Sequence, residues 1–273
     1  MKNNCKVIAI ANQKGGVGKT TTTLNLGIGL ANQGKKILLI DADSSADLSE
    51  WLDKENANIT LSNKLFDVIS NNSTLTVEGI QSHREGIDIL PADKRLADLE
   101  LTMVSAFDRE KAMRKYINEV RKDYDFVLID CSPSLGLISL NALAAADSVI
   151  IPVQAHYMPA KDMTKLLSTI SQVKKYINPK LKVDGILLTL VDNRTNLAKS
   201  TADSVRENFG ARIKIFDSQI PFAIKSAESA AKKKSIFKYA PKSPVAESYN
   251  ALTKEVLNGA EKEKNRLLSA DAR

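Results

Sequence analysis

At 273 residues, 43% of them hydrophobic, the chain is long enough to bury a full core. Two cysteines and two histidines exclude a disulfide framework and leave a transition-metal site almost without ligands. The net charge of +7 is unevenly placed: residues 194–242 carry eleven basic side chains against four acidic ones, an excess equal to that of the whole chain, so a polyanion-binding surface is expected there.

Residues 6–12 (KVIAIAN) form a near-continuous apolar run of strand length that ends in glycines. Residues 20–33 follow with helical spacing at Leu24, Leu26, Leu30 and Ala31, and Gly34 supplies a C-cap. A second buried run, 37–40, ends in Asp41, and the same pattern of strand then carboxylate returns at 126–130 (FVLID). Further short strands read at 87–90, 148–153 and 183–191, with helices at 94–101, 108–121, 137–146, 160–177 and 196–208. The tail from about Ser243 reads as a helix that becomes highly charged and frays. Buried strands alternating with helices predict an α/β fold: a mostly parallel doubly wound sheet with helices on both faces, one domain over 1–273. Cys5 and Cys131 read as reduced packing residues, and neither His83 nor His156 has a partner at ligand spacing. No stretch approaches the ~18 consecutive apolar residues of a membrane span, and the first strand starts too early to leave room for a signal peptide. The expectation is a cytoplasmic protein with no membrane partner.

The run Gly15-Gly16-Val17-Gly18-Lys19-Thr20 follows a buried strand and opens a helix, the context that makes it a phosphate cradle. Glycines let backbone N–H groups face an anion, and the helix N-terminus adds the positive end of its dipole. Lys19 is placed to reach β- and γ-phosphates, the Thr20 hydroxyl to hold Mg²⁺, and Thr21 to touch the α-phosphate. Thr22 and Thr23 read as plain helix surface. Asp130, at the end of an apolar strand, is the natural Mg²⁺ partner, directly or through water. Asp41 and Asp43 end the neighbouring strand; either could position an attacking water, or Asp41 could back up Thr20 and the metal while Asp43 takes the water. A strand-end aspartate also serves as an ordinary helix cap.

Lys14 adds a second lysine five residues before Lys19, and Lys14-Gly15-Gly16-Val17-Gly18-Lys19-Thr20-Thr21 resembles the deviant Walker A motif of the ParA and MinD superfamily. The resemblance continues through Ile40-Asp41-Ala42-Asp43, residues 128–136 (LIDCSPSLG), residues 192–197 (DNRTNL) and Ile220-Pro221, so it spans nearly the whole chain and is nearest to the short ParA partition ATPases. It implies an ATP-sandwiched homodimer in which Lys14 crosses to the partner's nucleotide. It further implies a water-positioning acid at Asp43, a magnesium-linked acid at Asp130 and an adenine pocket around Pro221. Ser44-Ser45-Ala46 stands where relatives usually have Pro-Gln-Gly, and Ser132 where a first proline is common, which bears on hydrolysis rate more than on nucleotide binding.

The same resemblance implies nonspecific duplex DNA as a partner, a nucleoid location, and a ParB-like centromere-binding protein that stimulates hydrolysis. Arg206, Lys225, Lys232, Lys233, Lys234 and Lys242 are the candidate phosphate contacts, Lys225 foremost because it follows Ile220-Pro221 where relatives often carry a DNA-contacting arginine. With the first strand near residue 6, an N-terminal helix-turn-helix domain is not expected. A MinD-like membrane regulator would need a bulky apolar face on the C-terminal helix, and residues 261–268 (EKEKNRLL) are of mixed charge. A cluster-bearing reductase would need cysteines better placed than Cys5 and Cys131, and a tyrosine autokinase a tyrosine cluster in place of the scattered Tyr239 and Tyr249. A scaffold that uses ATP only to dimerise is the remaining alternative.

Overall fold

The computed structural model describes residues 5–70, 76–155, 160–192 and 194–271; His156 and Asn193 lie outside the described residues. Apolar residues alternate along each central strand, so every strand feeds two layers. In β1 (Lys6–Ile10), Val7 and Ala9 belong to one hydrophobic cluster, Ile8 and Ile10 to the other. The same division recurs in β2 (Ile37–Ala42), β5 (Phe126–Cys131) and β6 (Ser148–Gln154), which is why these segments read as unbroken apolar runs. With β3 (Gln81–His83), β4 (Ile87–Leu90) and β7 (Lys182–Thr189) they form a seven-stranded sheet among the described residues, ordered β3-β4-β2-β5-β1-β6-β7. Only the β3–β4 pairing is antiparallel.

The first layer packs α3 (Leu61–Ile69), α4 (Arg95–Met103), α5 (Ala112–Val120), α6 (Leu137–Ala145), α7 (Ala160–Tyr176) and α8 (Asn196–Phe209) through residues such as Leu65, Leu99, Tyr116, Leu143, Leu166 and Val205. The second holds α1 (Lys19–Asn32), α2 (Asp47–Trp51), α10 (Ile236–Tyr239) and α11 (Pro244–Asp271) through Leu26, Trp51, Ile236 and Leu252. Helix α9 (Ile224–Ala231) leads into α10. The chain starts in mid-sheet at β1, winds outward to β2 and β4, returns to β5 beside β1, then crosses to β6 and β7. That reversal leaves a crevice at the carboxyl ends of the strands around β1.

Three expectations change. The last strand stops at Thr189 rather than residue 191, because Leu190 takes a left-handed backbone (φ 52°) that no strand accepts. Helices α2, α3, α9 and α10 and strand β3 occupy segments to which the sequence pattern assigned nothing. The charged tail continues as helix to Asp271, with Glu263 tied to Lys182 and lying 3.4 Å from Lys6 at the foot of the sheet. Cys5 and Cys131 are buried and form no disulfide, as expected. No helix among the described residues is long and apolar enough to cross a membrane.

Candidate functional site

Between β1 and α1 the loop is fixed from three sides. The Asn12 amide donates to the Pro152 carbonyl (2.6 Å) while its oxygen accepts the Lys14 N–H (3.0 Å). The Thr189 hydroxyl, at the end of β7, donates to the carbonyl of buried Val17 (2.8 Å). Gly16 (φ 70°) and Gly18 (φ 84°) supply the left-handed turns that let the loop curl. At Gly15 and Gly16 no atom beyond the adjoining residues lies within 4 Å of where a Cβ would stand, so the loop is open there. Lys19, the first residue of α1, is 7% exposed and folds back to donate to the Lys14 carbonyl (3.2 Å). Burial pushes its pKa down, against the pull of Asp130, Cys131 and Asp43.

Asp41 and Asp130 occupy paired positions on β2 and β5, and both are buried. One Asp41 oxygen accepts the backbone N–H (2.9 Å) and hydroxyl (2.6 Å) of Ser49 on α2, and the other accepts the Asp43 N–H (3.2 Å). Burial raises its pKa to about 7, although the Ser49 bonds favour the charged form. Burial and the neighbouring Asp41 charge together push Asp130 well above the usual carboxylate range, while the Thr20 side-chain hydrogen bond and the Lys19 ammonium draw it back. Asp43 is half-buried, and its carboxylate accepts the Ser45 N–H (3.0 Å).

The threonines after Lys19 correct the sequence reading. Thr22 and Thr23 are fully buried rather than helix surface. The Thr23 hydroxyl sits 3.2 Å from Asp130 Oδ1 and 3.0 Å from the Lys19 carbonyl, and Thr22 faces the Tyr249 hydroxyl of α11 at 3.4 Å. Helix α1 turns these two hydroxyls inward, Thr23 toward Asp130 of β5 and Thr22 toward α11, which is why neither reaches solvent. Thr21 is half-buried, its carbonyl accepting the Asn25 amide at 2.9 Å. Among the described residues no group of three or more His, Cys, Asp or Glu is arranged to hold a metal ion. Both carboxylates are thus engaged, Asp41 by Ser49 and Asp43, and Asp130 by the Thr20 and Thr23 side chains.

Pro221 comes to the same edge of the sheet. It bridges Val191 beyond the end of β7, with Val191 N–H donating to Ile220 O and Phe222 N–H to Val191 O, both at 3.0 Å. The basic candidates divide. Lys225, Lys232, Lys234 and Lys242 are exposed, as is Arg206, which pairs with Asp203 at 3.2 Å. Lys233 departs from a free phosphate contact: its ammonium lies 2.9 Å from Asp53 and 3.1 Å from Glu55. Sequence reasoning missed Thr23, Ser49 and Thr189; Thr189 acts on a loop 172 residues away, and nothing in its local pattern distinguishes it.

A family model described as an AAA domain matches residues 5–183. The sporulation initiation inhibitor protein Soj of Bacillus subtilis is 39% identical over 92% of this chain and 98% of its own length. The chromosome partitioning protein ParA of Caulobacter vibrioides is 35% identical over 94% of this chain and 95% of its own. Among solved structures, cobyrinic acid a,c-diamide synthase from Mycobacterium smegmatis with bound ATP analogue and magnesium superposes with a TM-score of 0.82 at 30% identity, over 93% of this chain and 94% of that one. A glycine cradle with two lysines, held at the mid-sheet crevice and faced by strand-end aspartates, thus accompanies near full-length similarity to partition proteins: the chain belongs to the ParA-type partition ATPases of the ParA/MinD family.

Proposed function

We propose that this protein binds Mg-ATP in the cradle at residues 14–21, pairs with a second copy in the ATP state, binds duplex DNA without sequence preference, and is driven through hydrolysis by a ParB-like partner. The observation that carries the reading is the cradle itself, where the open Gly15 and Gly16 and the left-handed turns at Gly16 and Gly18 accompany a buried lysine and two buried carboxylates at one strand register. A triphosphate fits it: Gly15 and Gly16 leave the backbone accessible, and desolvated Lys19 lacks an anionic partner strong enough to offset its burial. A divalent cation fits the like-charged Asp41–Asp130 pair. Thr20 and Asp130 would hold it, Asp41 supporting from behind through Ser49, and the ion would supply charge neutralisation at the β- and γ-phosphate oxygens.

In the same reading Lys14 reaches the partner's nucleotide, Pro221 lies at the base, and Asp43 orients the attacking water in line with the γ-phosphate. Catalysis is then positioning and electrostatics rather than covalent chemistry. Lys225, Lys232, Lys234 and Lys242 supply phosphate contacts, with Arg206 and Lys233 contributing less while paired to Asp203 and to Asp53 and Glu55. In this reading the ATP form sits on the nucleoid.

The test is binding to an arbitrary duplex with ATP, with ADP and without nucleotide, at two salt concentrations, for wild type, Lys14→Ala and Lys225→Ala. Binding that requires ATP, disappears in Lys14→Ala and loses about one unit of salt slope in Lys225→Ala supports the proposal. Binding indifferent to nucleotide, or none, refutes it.

A further inference from the structure

Helix α2 touches two regions at once. Ser49 holds Asp41 by two hydrogen bonds at the phosphate end, and its hydroxyl also accepts the Ala92 N–H at 2.9 Å. Two residues on, the Trp51 indole N–H donates to the Lys234 carbonyl at 3.1 Å, and the following loop supplies Asp53 and Glu55 to the Lys233 ammonium. Arg84 closes the junction, donating to the Lys233 carbonyl (3.3 Å) and lying 3.9 Å from Asp53. One short stretch of chain is therefore bonded at one end to a buried carboxylate beside the cradle and at the other to the lysine loop.

The backbone marks the same stretch. Of the five described non-glycine residues with positive φ, three bound this connection: Ala46 (58°) before α2, Asp53 (57°) after it, and Lys233 (49°) in the lysine loop. A Cβ makes that conformation costly, so it persists only where surrounding contacts over-determine the chain. Trp51 itself is 8% exposed and packed in the layer with α1 and α11, so it cannot follow α2 without carrying the Lys234 carbonyl or breaking a hydrogen bond that little water can replace.

We infer that α2 is a mechanical link that transmits the state of the phosphate site to the lysine loop, Ser49 and Trp51 being its two positioning residues. The inference rests on the duplex-binding reading only for its consequence; the link itself is testable without DNA. Trp51 is the chain's single tryptophan, so its emission reports the junction directly. A non-hydrolysable ATP analogue with Mg²⁺ is expected to shift that emission and to change amide exchange at 232–235 in wild type. Trp51→Phe, which keeps a packed ring and removes the N–H donor, should bind the analogue with wild-type affinity yet lose the exchange response. Its duplex affinity in the ATP-analogue state relative to ADP should fall on the order of tenfold. Asp53→Asn with Glu55→Gln, both at exposed positions, should weaken the same ratio and guards against misfolding of the tryptophan variant. Silent emission, or exchange and affinity ratios equal to wild type in both variants, overturns the link. If wild type binds no duplex in any state, the functional proposal fails alone, and emission with exchange still decides the link.

Discussion

Replacing Thr189 by valine probes whether β7 shapes the cradle. The substitution keeps the branched side chain, including the methyl that lies 3.9 Å from the Cβ position of Gly18, and deletes only the hydroxyl that donates to the Val17 carbonyl. Val17 is 1% exposed, so its carbonyl would be left unpaired at a cost of about 1–3 kcal/mol. If that cost falls on loop preorganisation, nucleotide affinity weakens roughly 5- to 150-fold, since 1.4 kcal/mol is tenfold. If it falls on the fold, the melting midpoint drops by about 2–4 °C per kcal/mol for a chain of this size class. Titration with a fluorescent ATP analogue and thermal melting of the nucleotide-free protein separate the two, and Thr189→Ser, which keeps the donor, should stay close to wild type in both. A valine variant with wild-type affinity and wild-type melting would refute the view that this hydrogen bond holds the loop.

Gly27→Ala would place a Cβ 2.7 Å from Leu39 Cδ2 in the packed layer between α1 and β2, and over-packing there should cost about 1–3 kcal/mol, read by denaturant unfolding at unchanged m. Glu263 is pushed up by burial but held below the usual carboxylate range by the bonds to Lys182 and the charges of Lys6 and Lys182. Its contribution is present above the unfolded pKa near 4.5 and is lost as pH falls through the lower folded value, so Glu263→Gln should melt below wild type at pH 7, with the gap closing toward pH 3. Asp130→Asn relieves a buried charge facing Asp41, so its melting midpoint without ligand should exceed that of wild type, while the rise that Mg-ATP gives wild type should shrink. A ligand-free midpoint at or below wild type would refute the idea that the carboxylate pair strains the empty crevice.

The central sheet was legible because strands buried on both faces leave little ambiguity: 37–40 and 126–129 are apolar throughout and run directly into aspartates, and both are strands that pair in register. Helix α2 was not, because its five residues show no helical period long enough to count, and α9 is eight residues of mostly small and polar side chains; α3 does carry a helical period in Leu61, Leu65 and Val68, and its signal went unread. Strand β3 is three residues of edge pairing with no apolar alternation to announce it. The end of β7 was overrun because Leu190 is a good strand residue by type, and only the surrounding fold forces it left-handed.

The site divides along the same line. The glycines, Lys19 and Thr20 lie within one short run, so their joint chemistry can be read from spacing, and the strand-end aspartates follow from where an open α/β sheet puts its crevice. What spacing cannot give is which neighbours turn inward. Thr22 and Thr23 repeat Thr20 and Thr21 in type, yet Thr22 and Thr23 are buried, Thr22 against Tyr249 of α11 from the far end of the chain and Thr23 against Asp130 of β5. Likewise Lys233 looks equivalent to Lys232 and Lys234 in a run of three, and only the loop after α2 singles it out by offering Asp53 and Glu55. Identical residue types in one run thus acquire different roles from partners distant in sequence, Lys233 drawn into an ion-paired junction while Lys232 and Lys234 stay exposed.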